Sequence, residues 1–321
     1  MGFPRLSLNL IFALAACTLL APPLKISSAQ ESSTDSATLK VSGVTIDVTL
    51  PEGQMKLSRN ELLGWVKTSA STVADYYGHF PVPHLTVKMR STSGSGVRHG
   101  VTYPKDGGLI FISVGRDADV AATKEDWVLV HEMIHLAFPS MPDDQHWIEE
   151  GISTYVEPVA RAREGSLDVK ELWGTFVHDM PKGEPAAGDQ GLDNTHTWGR
   201  TYWGGAIFCL LADVRIRERT KNRKGLEDAL RGINHGGGNI TEDWDIGKAL
   251  TMGDKATGTA VLQDLYKEMR DKPDPIDLDQ IWKKLGIAVN DGTVTFDDKA
   301  PEANIRKAIT SPPKQLLAPG R

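Results

Sequence analysis

A chain of 321 residues, 40% hydrophobic and 24% charged, has enough apolar material for a sizeable core and too much for disorder. Its formal net charge of −6, from 36 basic and 42 acidic side chains, includes no dense basic run, which excludes nucleic acid as an expected partner.

Arg5 followed by the apolar run Leu6 to Leu20, the break at Pro22-Pro23 and the small residues Ser27-Ser28-Ala29 read as an export signal over 1–29, cleaved after Ala29. Leu14-Ala15-Ala16-Cys17 offers lipid anchoring at Cys17 as the alternative, although the apolar run continues beyond it. The signal or such an anchor is the one expected membrane contact. Cleavage leaves Cys209 as the remaining cysteine, so no intrachain disulfide is expected and Cys209 reads as a small buried hydrophobe. An acidic exported chain of this kind points to a periplasmic or secreted location.

A polar leader over 30–37 gives way near Thr38 to the alternating strands Leu39 to Val41 and Val44 to Leu50. An amphipathic helix is expected over 59–77, carrying Leu62, Leu63, Val66, Val73, Tyr76 and Tyr77. Strands follow at His84 to Met89 and Leu109 to Val114, separated by a Gly/Ser-rich loop from Ser91 to Gly100 and a turn from Pro104 to Gly108. Beyond Thr123 the pattern turns helical: 123–138, 145–163, 201–220, 225–233, 259–270 and 278–285, with short strands beside Asn290-Asp291-Gly292. Loops are expected over 181–199 and 232–239. The fold class is therefore α+β: an N-terminal α/β lobe over 38–138 and a mainly helical lobe over 139–321, with a cleft between them.

Within the 123–138 helix, whose start Thr123 and Asp126 mark like a capping box, lies His131-Glu132-Met133-Ile134-His135. Residues i and i+4 share a helix face, so both imidazoles can meet one zinc ion, and Glu132 is placed to act on water held by that ion. A second helix reading Gln145-His146-Trp147-Ile148-Glu149-Glu150-Gly151 brings further candidate ligands in His146, Glu149 and Glu150. The metzincin way of completing such a site fails, because Phe138 and Met141 stand where a Gly and a His are required.

With these two segments together the chain resembles the gluzincins, the thermolysin-like zinc metallopeptidases, and in motif pattern the M1-type alanyl and glycyl aminopeptidase families. Their Trp-Leu-x-Glu-Gly segment matches Trp147 to Gly151, which implies Glu150 as third ligand and Glu149 as its neighbour. Fourteen residues separate His135 from Glu150, a few fewer than in those aminopeptidases. Arg200-Thr201-Tyr202-Trp203-Gly204-Gly205 resembles their Tyr-x-Lys-Gly segment, with Gly204 in place of the Lys, and implies Tyr202 as donor to the oxyanion. His178 and His196 are alternative donors. The Gly-x-Met-Glu-Asn segment that holds a substrate's amino group in M1 enzymes is absent; Gly100-Val101-Thr102-Tyr103 is a candidate edge strand without that Glu.

The resemblance implies a two-lobed thermolysin-like fold binding one Zn2+ per chain. It implies a peptidase acting on peptides or proteins, with Glu132 as general base and Tyr202 assisting. A zinc hydrolase of non-peptide amides is one alternative, and an exported zinc-binding module without turnover is another. Glu132 argues against the second, since a structural zinc needs no base. Exopeptidase against endopeptidase and the oligomeric state stay open.

Overall fold

Five strands form one mixed sheet in the order β1-β2-β3-β5-β4: β1 (Ser36–Val41), β2 (Val44–Thr49), β3 (His84–Thr92), β4 (Val97–Tyr103) and β5 (Leu109–Gly115). The structure, a computed structural model, describes residues 35–312, so the export signal, Cys17 and most of the polar leader lie outside the described residues. Strands β2, β3 and β5 run parallel, while β1 and β4 are antiparallel edges. Ile46, Val48, Leu85, Val87, Ile110 and Ile112 are buried at alternating positions, the period of two that puts every second side chain on one face. The first strand starts at Ser36, inside the stretch expected to be leader. Part of the segment expected to be a Gly/Ser loop is β4, whose register slips between Val97 and His99.

Helix α1 (Arg59–Tyr77) spans the expected residues, started by a Ser58–Glu61 capping box and stopped by Gly78 in the left-handed region. The single helix expected over 123–138 is two: α2 (Val120–Glu125) and α3 (Val128–His135). Apolar periodicity runs through the break, but the Asp126 carboxylate accepts from the N–H groups of Val128 and Leu129 and from Trp65 Nε1, at 3.0, 3.1 and 3.2 Å. Asp126 therefore starts a new helix instead of joining Thr123 in a box; the Thr123 hydroxyl bonds back to Val120.

Helices α4 (His146–Glu164) and α6 (Gly205–Thr220) are buried over most of their lengths, and α4 packs between α3 and α6. Three helices went unpredicted, α5 (Val169–Asp179), α8 (Ile246–Thr257) and α11 (Ala303–Ile309). The rest are α7 (Leu226–His235), α9 (Val261–Met269) and α10 (Leu278–Leu285), with a hairpin of β6 (Ile287–Asn290) and β7 (Thr293–Phe296). The described residues belong to one compact unit whose core is continuous from the sheet into these helices. Cys209 is buried on α6, where burial pushes its thiol up. No described helix is long and apolar enough to cross a membrane.

Candidate metal centre

His131 and His135 lie one turn apart on α3, and Glu150 reaches them from near the start of α4. The three ligand atoms fall within 4.8 Å of one another. Glu150 Oε2 lies 3.2 Å from His131 Nε2 and 3.6 Å from His135 Nε2, and the two Nε2 atoms are 3.3 Å apart. Tetrahedral zinc with bonds of about 2.0–2.1 Å needs ligand separations of about 3.3–3.4 Å, so this triangle has the size of one face of such a site. The two imidazole nitrogens and the carboxylate oxygen lie within 3.6 Å of one another, each able to offer a lone pair when the rings are neutral. A divalent cation satisfies all three donors together, and a set of two His and one Glu leaves the fourth position to water or substrate.

His146 is not in the triangle; it braces it. Its Nε2 bonds the other Glu150 oxygen, Oε1, at 3.2 Å, and its Nδ1 bonds Glu149 Oε2 at 3.1 Å. Hydrogen bonds to Glu149 and then to Glu150 push His146 up to about 10, so both ring N–H groups donate. Burial opposes ionisation of Glu150, but the hydrogen bonds from His131, His135 and His146 outweigh it and hold the carboxyl far below the usual range. The order Glu149, His146, Glu150 is an outer-shell chain that fixes one carboxylate oxygen and aims the other at the histidines. The start of α4 is tied down in turn by Trp147 Nε1, which donates to Asp193 at 2.8 Å, and by Tyr266, whose hydroxyl donates to the same carboxylate at 2.6 Å.

Glu132 projects from α3 towards edge strand β4. The Thr102 hydroxyl lies 2.5 Å from Glu132 Oε2 and 3.0 Å from the Glu132 carbonyl. Gly100 lies so close that a Cβ there would come within 2.4 Å of Glu132 Cγ and 2.7 Å of Oε1. Sequence reasoning passed over Thr102 because a threonine on an edge strand is ordinary. Its partner is 30 residues away, and only the bare Cα at Gly100 hinted that something approaches.

Tyr202 sits in a π-helical turn, Gly199–Gly204, that leads into α6, where an α-helix was expected from Thr201. Its ring stacks near-parallel to His131, 19° between planes with centroids 6.5 Å apart. Burial and then the negative charge of Glu150 push its phenol up to about 12, so it stays a protonated donor at neutral pH. The preceding segment is tied to this turn instead of looping freely: buried Arg200 pairs with Asp189 at 2.8 Å and donates to the Gly183 carbonyl at 2.6 Å. His178 is 79% exposed and paired with Asp179, and His196 is exposed; neither has a hydrogen bond to the triangle or to Glu132.

No family model matches the chain, and no curated protein matches it. Among solved structures, an aminopeptidase N family protein from Idiomarina loihiensis is similar over 84% of this chain and 53% of its own, with a TM-score of 0.58 at 13% identity. An M1 zinc metallopeptidase from Deinococcus radiodurans aligns over 75% of this chain and 53% of its own, with a TM-score of 0.46 at 14% identity. The chain spans about half the length of each. At such identity the likeness is one of fold: this chain shares with the Idiomarina protein an α+β fold with an N-terminal mixed sheet.

Proposed function

We propose that this chain is an exported zinc-dependent peptidase that binds one zinc per chain at His131, His135 and Glu150. The observation that carries the reading is the triangle of His131 Nε2, His135 Nε2 and Glu150 Oε2, sized for one tetrahedral ion. The sheet before α3 and the helices after it favour the two-lobed arrangement, with 38–138 and 139–321 meeting at the metal. Export, to the periplasm or the medium, rests on Arg5 and the apolar run to Leu20.

His131, His135 and Glu150 would hold the zinc, which when bound would supply Lewis acidity to the scissile carbonyl and lower the pKa of a water on it towards about 7. Glu132, with Oε2 engaged by Thr102, takes a proton from the attacking water through Oε1. As the water oxygen bonds the carbonyl carbon, the Tyr202 phenol donates to the oxygen that gains charge. Glu132 then delivers its proton to the departing amine nitrogen as the C–N bond breaks. Edge strand β4, antiparallel to β5 and with no strand on its other side among the described residues, offers its backbone to a peptide substrate beside the base.

The test is zinc content by elemental analysis with cleavage of a peptide library, for wild type, Glu132→Gln and Glu150→Ala. The expected result is one zinc and cleavage for wild type, retained zinc with cleavage lost for Glu132→Gln, and lost zinc for Glu150→Ala. A metal-free wild type, or a fully active Glu132→Gln, overturns the reading.

A further inference from the structure

The C-terminal ends of α1, α4 and α6 meet the start of α7 around a cavity of about 560 Å³ lined by five cations, Arg163, Arg217, Arg223, Lys224 and Arg231. Three carboxylates, Asp75, Glu227 and Asp228, also line it, which leaves an excess of two positive charges in a chain whose formal net charge is −6. Helix dipoles favour cations at C-terminal ends, and part of the cluster is occupied with structural pairing. Arg217 donates to both oxygens of Glu227 at 2.9 and 2.8 Å, Lys224 pairs with Asp228 at 2.9 Å, and Arg231 donates to the Tyr76 carbonyl at 2.7 Å. Two guanidiniums leave donors unused. Arg163, 6% exposed, donates through Nε to the Ile309 carbonyl at 2.7 Å; its Nη2 lies 3.3 Å from Glu227 Oε1 yet makes no hydrogen bond among the described residues. Arg223 donates through Nε to the Thr220 carbonyl at 3.0 Å and has no ion pair among the described residues. A buried donor without a partner is costly, so the Arg163 guanidinium points to a ligand that completes it.

We infer that this cavity binds a phosphate group, as inorganic phosphate or on a small soluble molecule. A guanidinium presents a planar fork of N–H donors that matches phosphate oxygens bidentately, and Arg163 and Arg223 bring two such forks to one cavity. A phosphate dianion balances the excess charge of the lining, whereas a carboxylate balances half of it. The volume is that of a small-molecule pocket and leaves room for more than the phosphate itself. The apolar side chains of the lining are small, Ala74, Ala308 and Pro312, and none of the large exposed apolar side chains of the described residues lies there, so the rim has nothing to insert into a bilayer. Arg163 stands thirteen residues beyond Glu150 on α4, about 20 Å along the helix axis, so the site is separate from the metal triangle and independent of the peptidase reading.

The experiment is calorimetric titration of the zinc-loaded full chain with inorganic phosphate, and with acetate and chloride at matched ionic strength, for wild type, Arg223→Gln and Asp75→Asn. Zinc content and Tm without phosphate confirm that each variant is folded. Wild type is expected to bind phosphate with a Kd below about 1 mM and neither of the other anions. Arg223→Gln, which alters an exposed side chain and leaves the metal triangle intact, is expected to weaken phosphate by about tenfold or more. Asp75→Asn removes a negative charge from the lining and is expected to tighten it by about two- to fivefold. Acetate bound as well as phosphate, or phosphate bound more weakly by Asp75→Asn, overturns the site. So does phosphate bound equally by wild type and Arg223→Gln, the result that phosphate held on the zinc would give.

Sedimentation with vesicles separates a soluble ligand from a lipid headgroup that bears the same phosphate. Wild type and Arg223→Gln are expected to sediment to the same extent with phosphatidylcholine vesicles and with vesicles containing phosphatidic acid. Sedimentation with phosphatidic acid that Arg223→Gln abolishes overturns the soluble ligand and makes the cavity a headgroup site.

Discussion

The hydrogen bond from Thr102 to Glu132 is short, charge-assisted and made to a group that the mechanism needs in one orientation. With Oε2 engaged, and with Gly100 packed against the same side chain, the carboxylate has little freedom to swing away from a water held at the triangle. Hydrogen bonds to charged groups are worth roughly 1.5–3 kcal/mol, so Thr102→Val is expected to lower kcat by about 10- to 100-fold. Zinc content and KM should stay close to wild type, and Thr102→Ser, which keeps the hydroxyl, should recover most of the rate. Steady-state kinetics on one good peptide decides this: a Thr102→Val protein with wild-type kcat would show that the base needs no such support.

At the scale of elements, two glycines that look incidental in the motifs set the distance between α4 and the turn bearing Tyr202. A Cβ on Gly151 would lie 2.3 Å from Gly205 Cα, and one on Gly205 would lie 2.3 Å from the Trp147 carbonyl oxygen and 2.6 Å from Gly151 Cα. The helix that carries Glu150 therefore touches the start of α6 backbone to backbone, and any side chain forces them apart. Gly151→Ala is expected to cost about 1–3 kcal/mol of stability, as overpacked cores do, and to reduce kcat more than zinc affinity. The reason is that it shifts Tyr202 against a triangle held by α3 and α4. Urea unfolding beside zinc titration checks both halves; an unchanged urea midpoint would mean that the contact relaxes at no cost.

The same elements show what the sequence made legible. Helical spacing of His131 and His135 and the apolar periodicity of α1 are local signals, and both appear where expected. The break at Asp126 was not legible, because apolar spacing continues across it and the choice is made by a carboxylate bonding backbone and Trp65. Helix α8 was missed because Gly247, Gly253, Thr251 and Thr257 weaken its propensity; burial of Ile246, Ala249 and Leu250 holds it in place.

Across the whole molecule, the metal-bearing helices are braced from behind by a buried charge cluster with more acid than base. Arg161, on α4, donates to Glu157 at 2.9 Å and to the Lys124 carbonyl at 3.2 Å, while Asp126 starts α3. Burial, only partly offset by Arg161, pushes Glu157 up to about 7, and burial likewise pushes Asp126 up to about 6 against its backbone hydrogen bonds. Both carboxyls thus hold protons more tightly in the folded chain than in the unfolded one. Their contribution to stability is fully present below about pH 4 and is lost as pH rises through about 6 and 7.

Stability of the wild type is therefore expected to fall between about pH 5 and 7.5, with this cluster contributing up to about 3 kcal/mol. Glu157→Gln, neutral at every pH, should flatten that part of the profile. The measurement is urea unfolding of both proteins across the range, reading the difference between their slopes, because titrations common to the two, including those of the metal ligands, cancel in it. A variant as steep as wild type would mean that Glu157 stays ionised against Arg161 throughout, as one member of an ordinary ion pair within α4.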